Sequence, residues 1–323
     1  MALGPGNVIE VYAIMNLSNE PTNRKNLPDV SVESRSELAS TIHRVGMKRI
    51  EVPVRLEVDG QEFRIPALVD AFVSLDKPEA KGIHMSRLFL QVREKLESEV
   101  LTFDLLKSVT KSFLDSHQEL SKTADVKVQF EMPVKRKALL SGEEGWRQYP
   151  VSLQMIRKSE EVQAQLEFEV VYSSTCPCSA ALSRQLQQDQ FSLDFADIER
   201  PSKKEVRDWL GKASSVGGVP HAQRSRAQVS LTLKPEDSED VLDYIDLIED
   251  SLGTPVQAAV KREDEQEFAR LNAQNLMFCE DAGRKIKSAL NAQSEILDFR
   301  AEVSHEESLH PHNAVSIVTK DTK

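Results

Sequence analysis

The pattern of apolar and polar positions changes period several times along the chain, and each change marks an element. Arg49-Ile50-Glu51-Val52-Pro53-Val54-Arg55-Leu56-Glu57-Val58 alternates strictly, which predicts a half-buried strand. Asp59-Gly60 follows as a hairpin turn signal, and Phe63 to Leu75 reads as the return strand. From Ser86 to Ser116 the period lengthens: Leu88, Leu90, Val92, Leu96, Val100, Phe103, Leu106, Val109 and Phe113 fall near helical spacing with no Gly or Pro between them, so one helical stretch is expected there. Alternation returns over Val126–Met132, over Tyr149–Arg157 and over Val162–Tyr172.

The second half repeats that order. Strands around 149–173 lead to Cys176, then a helix, then a strand over Gln228–Leu233. Val241–Leu252 and Glu265–Leu290 read as helices, and Asp298–Ser304 with Ala314–Thr319 close as strands. The echo is in element order; no residue-level repeat accompanies it. We therefore expect an α+β chain in three parts: an N-terminal arm over 1–45, rich in Pro and Asn, a first unit over 46–145 and a second over 146–323. A Gln/Ser/Lys-rich surface insertion of one or two helices is expected at 180–218, ending in Gly217-Gly218.

Composition narrows the classes. At 323 residues and 40% hydrophobic content the chain can build a substantial core. A net charge of −11 with no long basic run argues against a nucleic-acid partner. A phosphate-bearing substrate would need a local basic pocket. No segment reaches the roughly 18–20 apolar residues of a membrane span. Met1–Leu17 lacks the basic start of a secretory signal and is interrupted by Glu10. Three cysteines, two of them one residue apart, make no disulfide framework, so a reducing cytoplasm is the expected compartment.

Candidate chemistry collects in a few short clusters: Lys81-Gly82-Ile83-His84-Met85-Ser86-Arg87, Ser173-Ser174-Thr175-Cys176-Pro177-Cys178-Ser179, His221-Ala222-Gln223-Arg224-Ser225, Lys261-Arg262-Glu263-Asp264-Glu265, Cys279-Glu280-Asp281 and Ser304-His305-Glu306-Glu307-Ser308-Leu309-His310-Pro311-His312-Asn313-Ala314. A thiolate, a neutral imidazole and a carboxylate are the ligand types that borderline divalent metals accept. Cys176 stands between a strand and a helix, and a helix N-terminus favours a thiolate. Taken singly, most clusters have plain structural readings. Cys-Pro-Cys suits two buried cysteines at a turn, and Lys261–Glu265 suits a solvated charged turn. His84 suits a simple helix start. The His305–His312 segment, with three histidines and two glutamates in eight residues, suits neither a core nor an ordinary surface.

In combination and in this order the clusters resemble the type IB GTP cyclohydrolases, from Leu27-Pro28-Asp29-Val30 to the C-terminal end. The resemblance implies a tandem tunnelling fold of ββααββ units, antiparallel sheets with a helical layer, joined as a homotetramer with sites at unit and subunit boundaries. It implies hydrolysis of GTP to 7,8-dihydroneopterin triphosphate and formate, the first step of tetrahydrofolate synthesis, with a divalent metal (zinc, manganese or iron) and no organic cofactor. Residue by residue, Cys176 matches the metal-binding, catalytically important cysteine. His221 and Glu265 match the other metal ligands, and Glu280 matches the carboxylate that anchors guanine. His310 matches the catalytic histidine, with Glu307, His305 and His312 as its neighbours. Arg87 and Arg224 are implied triphosphate contacts. The interval from Cys176 to His221 is longer than in compact members, so His221 is placed by the His-x-Gln-Arg pattern; Ala222 stands where many relatives carry a polar residue. Two other readings use the same clusters: an archaeal-type, iron-dependent enzyme giving a cyclic phosphate, and a non-catalytic metal-binding oligomer.

Overall fold

A computed structural model describes residues 35–235 and 240–321. The arm expected over 1–45 lies mostly outside the described residues, and its described end enters the first strand at Ile42. Eight strands, β1 (Ile42–Val58), β2 (Gln61–Leu75), β3 (Thr123–Lys137), β4 (Glu144–Lys158), β5 (Glu161–Thr175), β6 (Ala222–Leu233), β7 (Ile296–His305) and β8 (Ala314–Thr319), form one antiparallel sheet in sequence order. Asp59 and Gly60 both take positive φ, 50° and 71°, the geometry a two-residue hairpin turn demands.

Register decides which residues share a face, because paired residues in a ladder point the same way. Val52, Ala67, Phe130, Val151, Phe168, Val229, Ala301 and Val318 form one row across all eight strands. All but Val318 are buried. The next row, on the opposite face, runs Glu51, Leu68, Gln129, Ser152, Glu167, Ser230, Arg300 and Thr319. The alternation in the sequence is thus the alternation between a helix-covered core and a polar, concave face.

The covering helices are α1 (Met85–Ser98) and α2 (Phe103–Ser116) over β1–β4, with α5 (Val241–Leu252), α6 (Arg262–Gln274) and α7 (Cys279–Asn291) over the second half. Leu88, Val92 and Leu96 of α1 and Leu106, Val109 and Phe113 of α2 are fully enclosed; burial of each such side chain contributes about 1.5–3 kcal/mol. The order is therefore β1β2α1α2β3β4, then β5β6, helices, β7β8: the tandem tunnelling-fold order. The expected boundary at 145/146 falls inside β4, which pairs along its whole length with β3. The insertion holds two helices, α3 (Pro177–Asp194) and α4 (Lys203–Leu210), joined by packing of Phe191, Phe195 and Trp209. It occupies the β5–β6 connection, where the first unit has only Asp59-Gly60. No helix among the described residues is long and apolar enough to cross a membrane.

Two expected continuous helices are each broken. The stretch 86–116 divides at 99–102 because β1 captures the backbone: Leu101 N donates to Arg55 O at 2.8 Å and Val100 bridges to Arg55. Thr102 then caps α2, its side chain accepting from Leu105 N at 3.1 Å. The stretch 265–290 divides at 275–278, where Asn275 Nδ2 donates to Leu252 O at 2.6 Å and Met277 N to Thr175 O at 3.2 Å. Periodicity runs through the first break because Leu96 before it and Leu106 after it face the same core; before the second break α6 buries no apolar side chain, only Asp264.

The two units are tied by a buried polar cluster. Glu249 of α5 accepts from Arg147 Nη1 at 2.5 Å and from the Tyr149 hydroxyl at 2.8 Å. Arg136 Nε donates to the same hydroxyl at 2.9 Å, and Arg136 pairs with Asp246 at 2.6 Å. Both guanidinium groups lie over the Tyr149 ring. Removing the shared acceptor leaves the largely buried Arg147 without its carboxylate and Arg136 with Asp246 alone. Glu249→Ala is expected to lower unfolding free energy by about 3–5 kcal/mol, read from urea denaturation; a loss under about 1 kcal/mol would show that the cluster is not a tie between the units.

Candidate functional site

The core face of the sheet turns polar at one end. Along β5 the inward positions run Leu166, Phe168, Val170, Tyr172, Ser174; along β6, Leu231, Val229, Ala227, Ser225, Gln223; along β7, Phe299, Ala301, Val303, His305. The last members are as buried as the apolar ones: Ser174 and Ser225 at 0%, Tyr172 at 0%, His305 at 2% exposure. Buried polar groups need partners, and here they satisfy one another. Tyr172 Oη lies 2.9 Å from His305 Nε2, Ser174 Oγ lies 2.7 Å from Ser225 Oγ, and Gln223 Nε2 donates to Ser174 Oγ at 2.9 Å. Burial keeps the His305 imidazole toward its neutral form, with Glu307 and Glu280 opposing that shift. Burial likewise raises the Tyr172 phenol, keeping it a proton carrier.

Beyond this polar end the strands stop and the chain is gathered around a small cavity of about 160 Å³. Its lining includes Cys176, Gln223, Cys279, Glu280, His305 and Glu307. Cys176 is the N-cap of α3, with Pro177 at the first helical position. Its amide donates to His221 O at 3.3 Å, and the Ser179 hydroxyl accepts from His221 N at 3.1 Å, so the 46-residue span from Cys176 to His221 begins and ends at one place. Cys279 and Glu280 arrive on the first turn of α7. That turn is set by the break at 275–278, by Ser316 Oγ donating to Cys279 O at 2.7 Å, and by Gly283, where an added Cβ would sit 2.7 Å from Ser316 Oγ. A helix N-terminus favours a carboxylate. Hydrogen bonding by its own amide and by the Cys279 thiol, at 3.3 Å, holds Glu280 below the usual glutamate range. Burial and the Glu280 hydrogen bond push the Cys279 thiol up to about 11.

Of the residues singled out from sequence, Cys176, Glu280 and Glu307 meet in this cavity, and His221 stands beside it through its backbone contacts with Cys176 and Ser179. The others are placed elsewhere in the single chain. Glu265 is exposed on the first turn of α6, whereas its neighbour Asp264 is fully buried and accepts from Leu140 N, Ser141 N and Lys261 N at 2.7–2.9 Å. Although burial alone would raise the Asp264 carboxyl, those hydrogen bonds hold it well below the usual range. Among the described residues no group of three or more His, Cys, Asp or Glu is close enough to hold a metal ion, so Cys176, His221 and Glu265 are not assembled as a triad within one chain. Arg224 lies on the polar face of β6, one residue from inward Gln223. Arg87 donates to Ser116 O at 2.6 Å and lines a second cavity of about 550 Å³ with His84, Asp115 and His117, sharing no residue with the first. His310 and His312 are exposed in the β7–β8 connection, their rings stacked at 4.9 Å. The buried histidine of that segment is His305.

Tyr172, Ser174, Gln223 and Ser225 were not singled out as site residues from sequence. Their signal is polar residues at inward positions of a period-2 pattern, which becomes readable once the register is known.

The family model of type I GTP cyclohydrolase FolE2 matches residues 27–316. GTP cyclohydrolase FolE2 of Bdellovibrio bacteriovorus is 50% identical over 300 residues, covering 93% of this chain and 98% of that protein. GTP cyclohydrolase FolE2 of Hydrogenovibrio crunogenus is 43% identical over 297 residues, covering 91% and 94%. Among solved structures, uricase from Arthrobacter globiformis superposes with a TM-score of 0.48 at 8% identity, covering 89% of this chain and 96% of that one.

The surroundings of Cys178 and Cys279 make their thiols unequal. Cys178 is exposed and Cys279 is buried with its thiol raised to about 11, and only the thiolate is nucleophilic. Iodoacetamide at pH 8 is expected to alkylate Cys178 rapidly and Cys279 only after unfolding, as followed by peptide mass spectrometry. Equal labelling rates in the folded protein would contradict the placement of Cys279.

Proposed function

The chain belongs to the type I GTP cyclohydrolase FolE2 family, and from that membership together with the cavity chemistry we propose that it opens the guanine ring of GTP, giving 7,8-dihydroneopterin triphosphate and formate. The carrying observation is that the Glu280 carboxylate and the Cys176 thiol line one cavity. A carboxylate kept ionised at a helix N-terminus accepts hydrogen bonds from the ring N–H and the exocyclic amine of guanine, a donor pair that adenine lacks.

The reaction adds water to carbon 8 and opens the imidazole ring to a formamide. A second water then releases formate, and the ribose chain, opened and rearranged to a ketone, condenses with the pyrimidine amine and expels one water, so that one water is consumed overall. A divalent ion, when bound, lowers the pKa of its water to about 7. Cys176 and His221 are the proposed sulfur and nitrogen donors to such an ion, supported by the family match and by the meeting of their backbones at the start of α3, where Cys176 N donates to His221 O. Glu265 is the proposed third donor by its family match. The rest of the chemistry falls to the chain itself. Glu280 fixes the base, and the buried His305–Tyr172 pair shields that end of the cavity from bulk water. Glu307 and His310 are the proposed proton carriers. Arg87, Arg224 and His312 are the proposed contacts of the triphosphate. Arg87 and Cys176 line separate cavities in one chain, so a site using both needs a second copy. We take the assembly to be a homotetramer, working in a reducing cytoplasm on free GTP.

Glu280→Gln keeps side-chain size and removes the charge. Glu280 is exposed in the free protein, so the burial comes from the guanine that covers it; truncating one partner of such a buried charge-assisted contact costs about 2–5 kcal/mol, and kcat/KM for GTP is expected to fall about 30-fold to several-thousand-fold. Metal content, measured on the same preparation, is expected to stay unchanged. A loss under about threefold would return Glu280 to the role of a solvated helical residue, near the usual 0.5 kcal/mol limit of surface substitutions; lost metal would make it a ligand.

A further inference from the structure

We infer that Gln223 fixes the tautomer of His221, accepting from Nδ1–H and leaving the Nε2 lone pair for a divalent cation. The inference rests on the proposed role of His221 as a metal donor and names the residues that make it one. Ser225, Ser174 and Gln223 occupy inward positions at the polar end of the sheet, at 0%, 0% and 7% exposure. They form an unbroken chain: Ser225 Oγ to Ser174 Oγ, 2.7 Å; Gln223 Nε2 to Ser174 Oγ, 2.9 Å; Gln223 Oε1 to His221 Nδ1, 2.9 Å.

A primary amide has a donor end and an acceptor end. With the amino group given to Ser174, only the carbonyl oxygen is left to face the imidazole, and it can bond Nδ1 only if Nδ1 carries the proton. The neutral ring then has its lone pair on Nε2. Turning the amide over would present N–H to Nδ1, force the proton onto Nε2 and leave no nitrogen able to bind an ion. The orientation of one buried amide therefore separates a metal-competent histidine from an incompetent one. Metal-binding histidines are commonly fixed by such a bond from the other ring nitrogen. The backbone that carries the ring is itself held: Ser179 Oγ accepts from the His221 amide at 3.1 Å, and the His221 carbonyl accepts from Cys176 N at 3.3 Å; the Gln223 bond is what orients the ring. Gln223 is thus a positioning residue. Its inward placement follows from β-strand alternation, since Arg224 beside it points to the other face.

The test uses metal-stripped full-length protein with ¹⁵N-labelled histidine, in which long-range proton–nitrogen spectra distinguish Nδ1–H from Nε2–H. The His221 signals are those missing from His221→Gln. Zn²⁺ affinity is measured on the same proteins by competition with a chromophoric chelator. Wild type is expected to show Nδ1–H. Gln223→Leu, similar in volume but without an acceptor, is expected to shift His221 toward Nε2–H and weaken Zn²⁺ binding about 10- to 100-fold. Gln223→Glu, which restores the acceptor, is expected to keep Nδ1–H and bind Zn²⁺ within a few-fold of wild type. A wild-type His221 in the Nε2–H form, or a Gln223→Leu protein with unchanged tautomer and affinity, overturns the inference. Zn²⁺ binding that His221→Gln leaves unaltered would instead remove the metal reading beneath it.

Discussion

The structure depends on a register constraint. One inward row crosses all eight antiparallel strands and the others cross part of the sheet, and each must be either apolar and covered or polar and mutually hydrogen-bonded. Over most of the sheet the first solution holds, and helices bury Val, Leu and Phe. At one end the second holds, and Tyr172, Ser174, Gln223, Ser225 and His305 replace them. An unpaired polar group there would cost roughly 1–3 kcal/mol. The polar end persists because its members pair off: Tyr172 with His305, Ser174 with both Ser225 and Gln223.

That polar end becomes a cavity because two connections are bent toward it. The insertion leaves β5 at Cys176 and returns at His221, so a long excursion costs the local geometry nothing. The helical layer breaks at 275–278, and Met277 N bonds to Thr175 O, which sets the first turn of α7 over the ends of β5 and β6. A continuous helix would have carried Cys279 and Glu280 past the sheet. The break brings a carboxylate and the positive end of a helix to the place where the core has already turned polar, and Gly283 lets α7 lie against β8 closely enough to hold them there.

The strands were legible from alternation and the hairpin from Asp59-Gly60, because both signals are local. The helix breaks were not, because Leu101 and Met277 bond to strands distant in sequence, and at the first break the apolar period continues across the gap. Cys176, Glu280 and Glu307 were legible as chemistry and do meet in one cavity. The clustering of charge at Lys261–Glu265 was legible, but not which carboxylate goes inward: Asp264 caps the β3–β4 turn and Glu265 faces out. His305, named only as a neighbour of His310, is the buried histidine because the ladder pairs it with Ser225, while His310 lies past the strand end.

In this account the family chemistry is carried by a cavity of ordinary residues whose protonation states are set by burial and by a helix end. The most direct test of its central claim supplies GTP labelled at carbon 8 to the purified, metal-reconstituted full-length protein and follows label released as formate. The account predicts one formate released for each GTP consumed, abolished when metal is stripped and restored when it is returned. Folded protein that releases no formate with zinc, manganese or ferrous iron would contradict it.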